Sequence, residues 1–153
     1  METTGTSELR IKRTFQAPIE LMWQVWTDPG HLVEWWGPDG FTSTIHTMDF
    51  REGGEWRLTM HSPDGTNFPN RSIFREIVPM KKIVFEHFNP HFITSVTFEA
   101  AGGETTIDWR MEFDSAEMRD IVVQAHKAEE GQRQNVERLG HYLRQQQERP
   151  VQK

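Results

Sequence analysis

Glu129 and His87 form the only combination in this sequence that could run acid/base chemistry in an apolar setting. Glu129 interrupts the apolar stripe of a C-terminal helix, and His87 shares a strand face with Ile83 and Phe85. Burial would raise the pKa of the carboxyl group and lower that of the imidazole. Such a pair could move a proton on and off a bound carbonyl or polyketide-like substrate. A lone histidine on a covered face is more often a satisfied polar residue or a pocket-lining donor, and no neighbour that would orient His87 as a base is identifiable. The seven histidines, His31, His46, His61, His87, His91, His126 and His141, fall in no zinc-binding spacing, and the chain has neither HExxH nor a cysteine. His87 and His91 flank Asn89-Pro90 with no carboxylate at a defined spacing. GxSxG is absent, and Gly53-Gly54 and Gly102-Gly103 lead into strands, so they read as turns and not as phosphate loops. No metal and no cofactor is expected, and whether anything is catalysed stays open.

The elements that must position these groups are legible in the periodicity. Residues 9–15 alternate as a first strand, with Leu9, Ile11 and Phe15 on one face. After Pro18, Ile19, Met22, Trp23 and Trp26 recur at helical spacing, and Asp28-Pro29 reads as an N-cap and first turn of a second short helix over residues 29–36, ended by Gly37-Pro38. Six further strands are predicted at 41–50, 55–61, 71–78, 82–89, 92–100 and 105–113, joined by connections short enough for an antiparallel meander. In 41–50 and 71–78 apolar residues fall on both phases, so the inward face is not defined there. Asp114 with Glu117 reads as a capping box for one long last helix, whose stripe is Met118, Ile121, Val122, Ala125, Val136, Leu139 and Leu143. Its middle is polar, with Glu129 and Gln132 around Gly131. Two readings are open: a gap between helix and sheet that forms a pocket, or a bend at Gly131 that lets Glu129 reach solvent.

At 153 residues the chain is read as a single domain over 9–144 with flexible tails at 1–8 and 145–153. A chain of this size buries roughly 68–70% of its unfolded surface and needs no disulfide or metal to fold. Seventeen basic residues against twenty-three acidic ones give a net charge of −6, which disfavours nucleic acid and anionic lipid as partners. No apolar run reaches the roughly 20 residues of a membrane span. The absence of cysteine and the polar start, without a basic n-region or apolar h-region, point to an unexported, cytoplasmic protein.

Trp35-Trp36 stands at the exit of the second short helix. Each indole carries about 150–250 Å² of surface, and neighbours on a helix cannot both face one core. One ring is expected under the short helices and the other, with a lean to Trp36, at the rim of a pocket. Six tryptophans and ten phenylalanines leave aromatic surface that a ligand could share. The expected ligand-binding set is Trp36, Met60, Phe74, His87, Trp109, Glu129 and Gln132.

The joint run of Phe15-x-Ala17-Pro18, Trp26-Thr27-Asp28-Pro29, Trp35-Trp36-Gly37-Pro38, Phe41, Asp49-x-Arg51-x-Gly53-Gly54-x-Trp56, Pro63-Asp64-Gly65, Glu76-Ile77-Val78-Pro79, Val96-Thr97-Phe98-Glu99 and Gly131 resembles the family named after the activator of the heat-shock chaperone ATPase. That family lies within the START-like, or SRPBCC, superfamily, with the helix-grip fold of the birch pollen allergen. The resemblance implies an α+β helix-grip fold: a seven-stranded curved antiparallel sheet, two short helices, and a long C-terminal helix over the concave face with a cavity between. Similar sequences often carry Gly-Trp in the last helix, whereas Gln132 follows Gly131 here. In function the resemblance implies binding of a small hydrophobic or aromatic molecule in the cavity. The alternatives are a cavity-based enzyme of the cyclase/aromatase type or a chaperone-associated interaction protein, and a homodimer is possible. The namesake co-chaperones make their chaperone contacts through an additional N-terminal domain, for which this single domain leaves no room.

Overall fold

Thr105, Ile107, Trp109 and Phe113 are buried while Arg110 and Glu112 are exposed, so the last strand converts the two-residue alternation of its sequence directly into a covered and a wet face. The computed structural model describes residues 7–88 and 90–148. Its strands are β1 (Glu8–Phe15), β2 (Thr42–Met48), β3 (Glu55–His61), β4 (Asn67–Val78), β5 (Lys82–Phe88), β6 (Phe92–Ala101) and β7 (Glu104–Phe113). All pairs are antiparallel, in the order β1-β7-β6-β5-β4-β3-β2. Between β1 and β2, the two edges, run α1 (Ile19–Thr27) and α2 (Pro29–Leu32), while α3 (Ala116–His126) and α4 (Ala128–Glu148) follow β7. The result is the α+β helix-grip fold, with helices packed over a seven-stranded antiparallel sheet. Within the main core, Val136, Leu139 and Leu143 of α4 and Met22, Val25 and Trp26 of α1 meet Trp56, Phe74, Phe85, Phe98 and Trp109 of the sheet.

Both strands with an undefined inward phase contain a β-bulge. Register shifts between Ile45 and Thr47 in β2 and between Phe74 and Glu76 in β4. The extra residue inverts the alternation, so Phe74 and Ile77 both join the core from opposite parities. β4 also starts earlier than its pattern suggests. Its first residues, Pro69 among them, pair with β3 alone, because pairing with β5 begins only at Arg71. Proline is tolerated where one side of the strand is unpaired.

The C-terminal helix departs from the expected single rod. It breaks at Lys127, which takes left-handed backbone angles (φ 51, ψ 46), and not at Gly131. The N-cap of α3 is Ser115, whose Oγ accepts from Met118 N–H at 3.0 Å, and not Asp114, whose carboxylate is taken by His91. The outer stripe is also inverted. Val122 is buried, but Met118, Ile121 and Ala125 lie exposed on α3. At its far end α4 continues past 144 to Glu148, tied by Gln147 Nε2 donating to Gln16 O at 2.9 Å. Of the tails expected at 1–8 and 145–153, residues 1–6 and 149–153 lie outside the described residues, as does the turn residue Asn89.

The break at Lys127 has a measurable cost. A left-handed conformation disfavours an ordinary L residue by roughly 1–2 kcal/mol, which glycine avoids at the cost of a freer unfolded chain. Lys127→Gly is therefore expected to raise the unfolding free energy by about 0.5–1 kcal/mol in urea titrations. At Gly131, an added Cβ would meet Pro38 Cγ at an ordinary 3.5 Å, so Gly131→Ala is expected to leave the fold intact and to gain up to about 1 kcal/mol.

Candidate functional site

Trp35 and Trp36 point into different layers. Trp35 is fully buried, donates from Nε1 to Val25 O at 3.1 Å and meets Trp26 edge to face at 4.8 Å. Trp36 is half-buried and lies on the sheet, stacked on Trp109 at 5.6 Å and 17°, with Trp56 at 5.2 Å and Trp26 at 6.0 Å. Trp56 in turn stacks on Phe74 at 5.8 Å and meets Phe85 edge to face at 5.2 Å. Trp23, Phe50 and Phe98 extend the network on the α1 side. These rings occupy the space between sheet and helices in which the sequence suggests a cavity. The indole N–H groups of Trp26, Trp56 and Trp109 are buried with no hydrogen-bond acceptor.

The polar centre of α4 has a use that side-chain periodicity does not reveal. Gln132 and Asn135 are buried and donate to backbone carbonyls: Gln132 Nε2 to Trp109 O at 3.2 Å, Asn135 Nδ2 to Trp35 O at 2.9 Å. Arg138 Nη1 donates to Gly37 O at 2.9 Å and Pro38 O at 2.8 Å, with Trp36 O at 3.4 Å. Gln134 Oε1 accepts from Asp39 N–H at 3.1 Å. Burial lowers the Arg138 pKa, and nearby Asp39 opposes that shift. Together these side chains clamp the loop that presents Trp35 and Trp36. Gly131 lies under the same loop, facing Pro38. Asn135 and Arg138 are absent from the expected site, although their recurrence at three and six residues after Gln132 carries the signal.

Five of the expected residues lie together. Trp36, Met60, Phe74 and Trp109 share the main core, and Gln132 bonds to the Trp109 backbone. Met60 reaches the loop itself, since a Cβ on Gly37 would stand 3.0 Å from its methyl. His87 is buried elsewhere on the sheet. Its ring stacks on Phe92 at 4.4 Å, with Nδ1 2.8 Å from Pro90 O and Nε2 2.6 Å from Asn70 Oδ1. Burial holds its pKa below the ordinary value, and the Pro90 carbonyl only partly opposes this. Glu129 is exposed, the second of the two readings open for it, although the break beside it is at Lys127. It lines an open depression of about 530 Å³ with Arg10, Ile11, Val123, Lys127 and Gln132, which His87 does not border. The acid/base pair therefore does not converge in this conformation. Among the described residues no three His, Cys, Asp or Glu side chains are grouped to hold a metal ion, and no helix is long and apolar enough to cross a membrane.

His91 sits between two carboxylates that favour its charged form. Its Nε2 lies 2.7 Å from Glu86 Oε2 and its Nδ1 2.8 Å from Asp114 Oδ1. These bonds, that to Glu86 first, raise its pKa, and His91 in turn lowers that of Glu86.

A family model described as "Activator of Hsp90 ATPase homolog 1-like protein" matches residues 16–144. No curated protein sequence matches the chain. A solution structure from Arthrobacter aurescens is similar with a TM-score of 0.86 and 24% identity, covering 95% of this chain and 90% of that one. A Mycobacterium smegmatis crystal structure gives a TM-score of 0.82 and 25% identity, over 92% and 93% of the two chains. An AHSA1 protein from Silicibacter pomeroyi gives 0.73 and 20%, over 91% and 99%.

Two measurements check the clamp and the His91 contacts. Asn135→Leu keeps much of the side-chain volume but removes the donor to Trp35 O, and is expected to cost about 1–3 kcal/mol in denaturant titrations. A raised His91 pKa means its contribution to stability is complete below the ordinary 6.5 and is lost as pH climbs through the folded value. The urea midpoint should fall over that window, and His91→Gln should flatten the fall.

Proposed function

The chain belongs to the Activator of Hsp90 ATPase homolog 1-like family, within the START-like helix-grip superfamily, and we propose that it acts as a chaperone-associated interaction domain docking through the outer face of α3. One observation carries this reading. The apolar positions of α3 are turned away from the domain, with Met118 37% and Ile121 51% exposed, while the interior is already filled by its own rings. Exposed Glu117, Asp120 and Gln124 flank that stripe. A partner surface with an apolar groove and a basic rim would complement it, as an amphipathic helix is read by a groove. A cytoplasmic setting agrees with a cysteine-free chain.

A second reading, binding of a small hydrophobic or aromatic molecule between sheet and α4, is favoured by the three buried indole N–H groups that lack an acceptor. The cyclase-type alternative has no comparable support, because His87 does not line the depression that Glu129 borders.

The interaction reading is tested with a purified Hsp90-type chaperone. Added domain should form a complex visible by sedimentation and change the chaperone's ATPase rate saturably. Met118→Glu with Ile121→Glu should weaken that complex by more than about tenfold, as expected for loss of a central apolar contact, with Tm unchanged. No complex and an unaltered ATPase rate would exclude the reading, as would burial of α3 in a homodimer of the domain.

A further inference from the structure

We propose that Trp36 is the removable stopper of a binding site for a neutral, planar bicyclic aromatic molecule bearing a hydrogen-bond acceptor, which replaces the Trp36 ring on the face of Trp109. This rests on the second, small-molecule reading and is independent of chaperone docking.

Buried donors are nearly always paired in native proteins, so three orphans in one core call for a physical reason. Trp26, Trp56 and Trp109 are 4%, 3% and 4% exposed, and their Nε1–H groups have no acceptor. All three rings touch the same fourth ring. Trp36 stands 6.0 Å from Trp26, 5.2 Å from Trp56 and 5.6 Å from Trp109 between centroids. An indole offers a donor and a π face but no lone pair in its plane, so Trp36 fills the slot without satisfying its walls. A ligand of the same shape carrying a carbonyl or ring nitrogen would fill the slot and offer an acceptor to Trp26 or Trp56, whose planes stand at 74° and 57° to that of Trp36; the Trp109 N–H lies in the plane of the floor, out of reach of a ring stacked on it.

Trp36 is also placed to leave. It is the one member of this group of four that is not fully buried. Its backbone does not have to move, because Arg138 holds the carbonyls of Gly37 and Pro38 and Asn135 holds that of Trp35. Rotation about the side-chain bonds alone opens an indole-sized slot whose floor is Trp109. The bound state is then a minor conformer of the free protein made dominant by the ligand. The rings around Trp36 are uncharged indoles, and the nearby cation Arg138 is committed to the loop carbonyls, which is why the ligand is assigned as neutral.

The test uses coumarin, which is planar and bicyclic with a lactone carbonyl, and naphthalene, which has the shape without the acceptor. Indole Nε1–H resonances of the full chain are followed by NMR during titration. Coumarin is expected to shift the Trp26 or Trp56 signal downfield and to move Trp36 Nε1–H to rapid exchange with water. Naphthalene should bind more weakly and produce no downfield shift. Trp36→Ala should bind coumarin at least about tenfold more tightly, since the cost of opening is removed. Trp36→Leu serves as a second variant if the alanine form does not fold. Coumarin binding that leaves Trp36 unmoved and is unchanged in both variants would overturn the stopper while sparing the small-molecule reading. Binding by the variants but not by wild type at millimolar coumarin would overturn it too, as space made by the substitution. No binding to any form would remove both.

Discussion

Backbone carbonyls that lie against an apolar interior must find donors, and in this domain that requirement decides the placement of the last helix. The Trp35–Pro38 loop passes between the short helices and β2 with its carbonyls turned toward α4. Gln132, Asn135 and Arg138 of that helix supply the N–H groups for this loop and for Trp109. Leaving such a carbonyl unpaired costs about 1–3 kcal/mol, comparable to losing a buried aliphatic side chain. The polar residues are thus as much a part of the packing as Val136, Leu139 and Leu143, which alternate with them along α4.

Once the loop is held, the aromatic layer follows. Trp35 is directed under α1 and Trp36 onto β7, and the remaining rings close around them in edge-to-face and stacked pairs. The interior is occupied by the protein's own indoles, so the helix grip is filled. Apolar surface is displaced instead to α3.

Much of this was legible in the residues. Alternation located all seven strands, and the proline and Asp28 signals located the starts of the short helices, but the second helix, expected over 29–36, ends at Leu32, so Trp35 and Trp36 diverge from a turn and not from adjacent helical positions. The clamp was not legible, because periodicity reports which side chains are apolar and says nothing about which main-chain groups need partners. A buried amide bonded to a carbonyl and a polar residue facing a void look identical in one dimension. The inward phase of β2 and β4 was hidden by their bulges, and the outward turn of Met118 and Ile121 by the left-handed angle at Lys127, which an ordinary lysine does not advertise.

That angle at Lys127 divides the C-terminal segment into two cooperative units. α4 is integrated with the main core, whereas α3 rests on a small second cluster of Leu9, Phe113 and Val122, which α4 touches only through Ala128 beside the break. Melting of α3 therefore need not fray α4. The domain carries two tiers of local unfolding, a shallow one that releases a single helix and a deep one that dissolves the tryptophan layer, and amide protons on the two helices belong to different tiers.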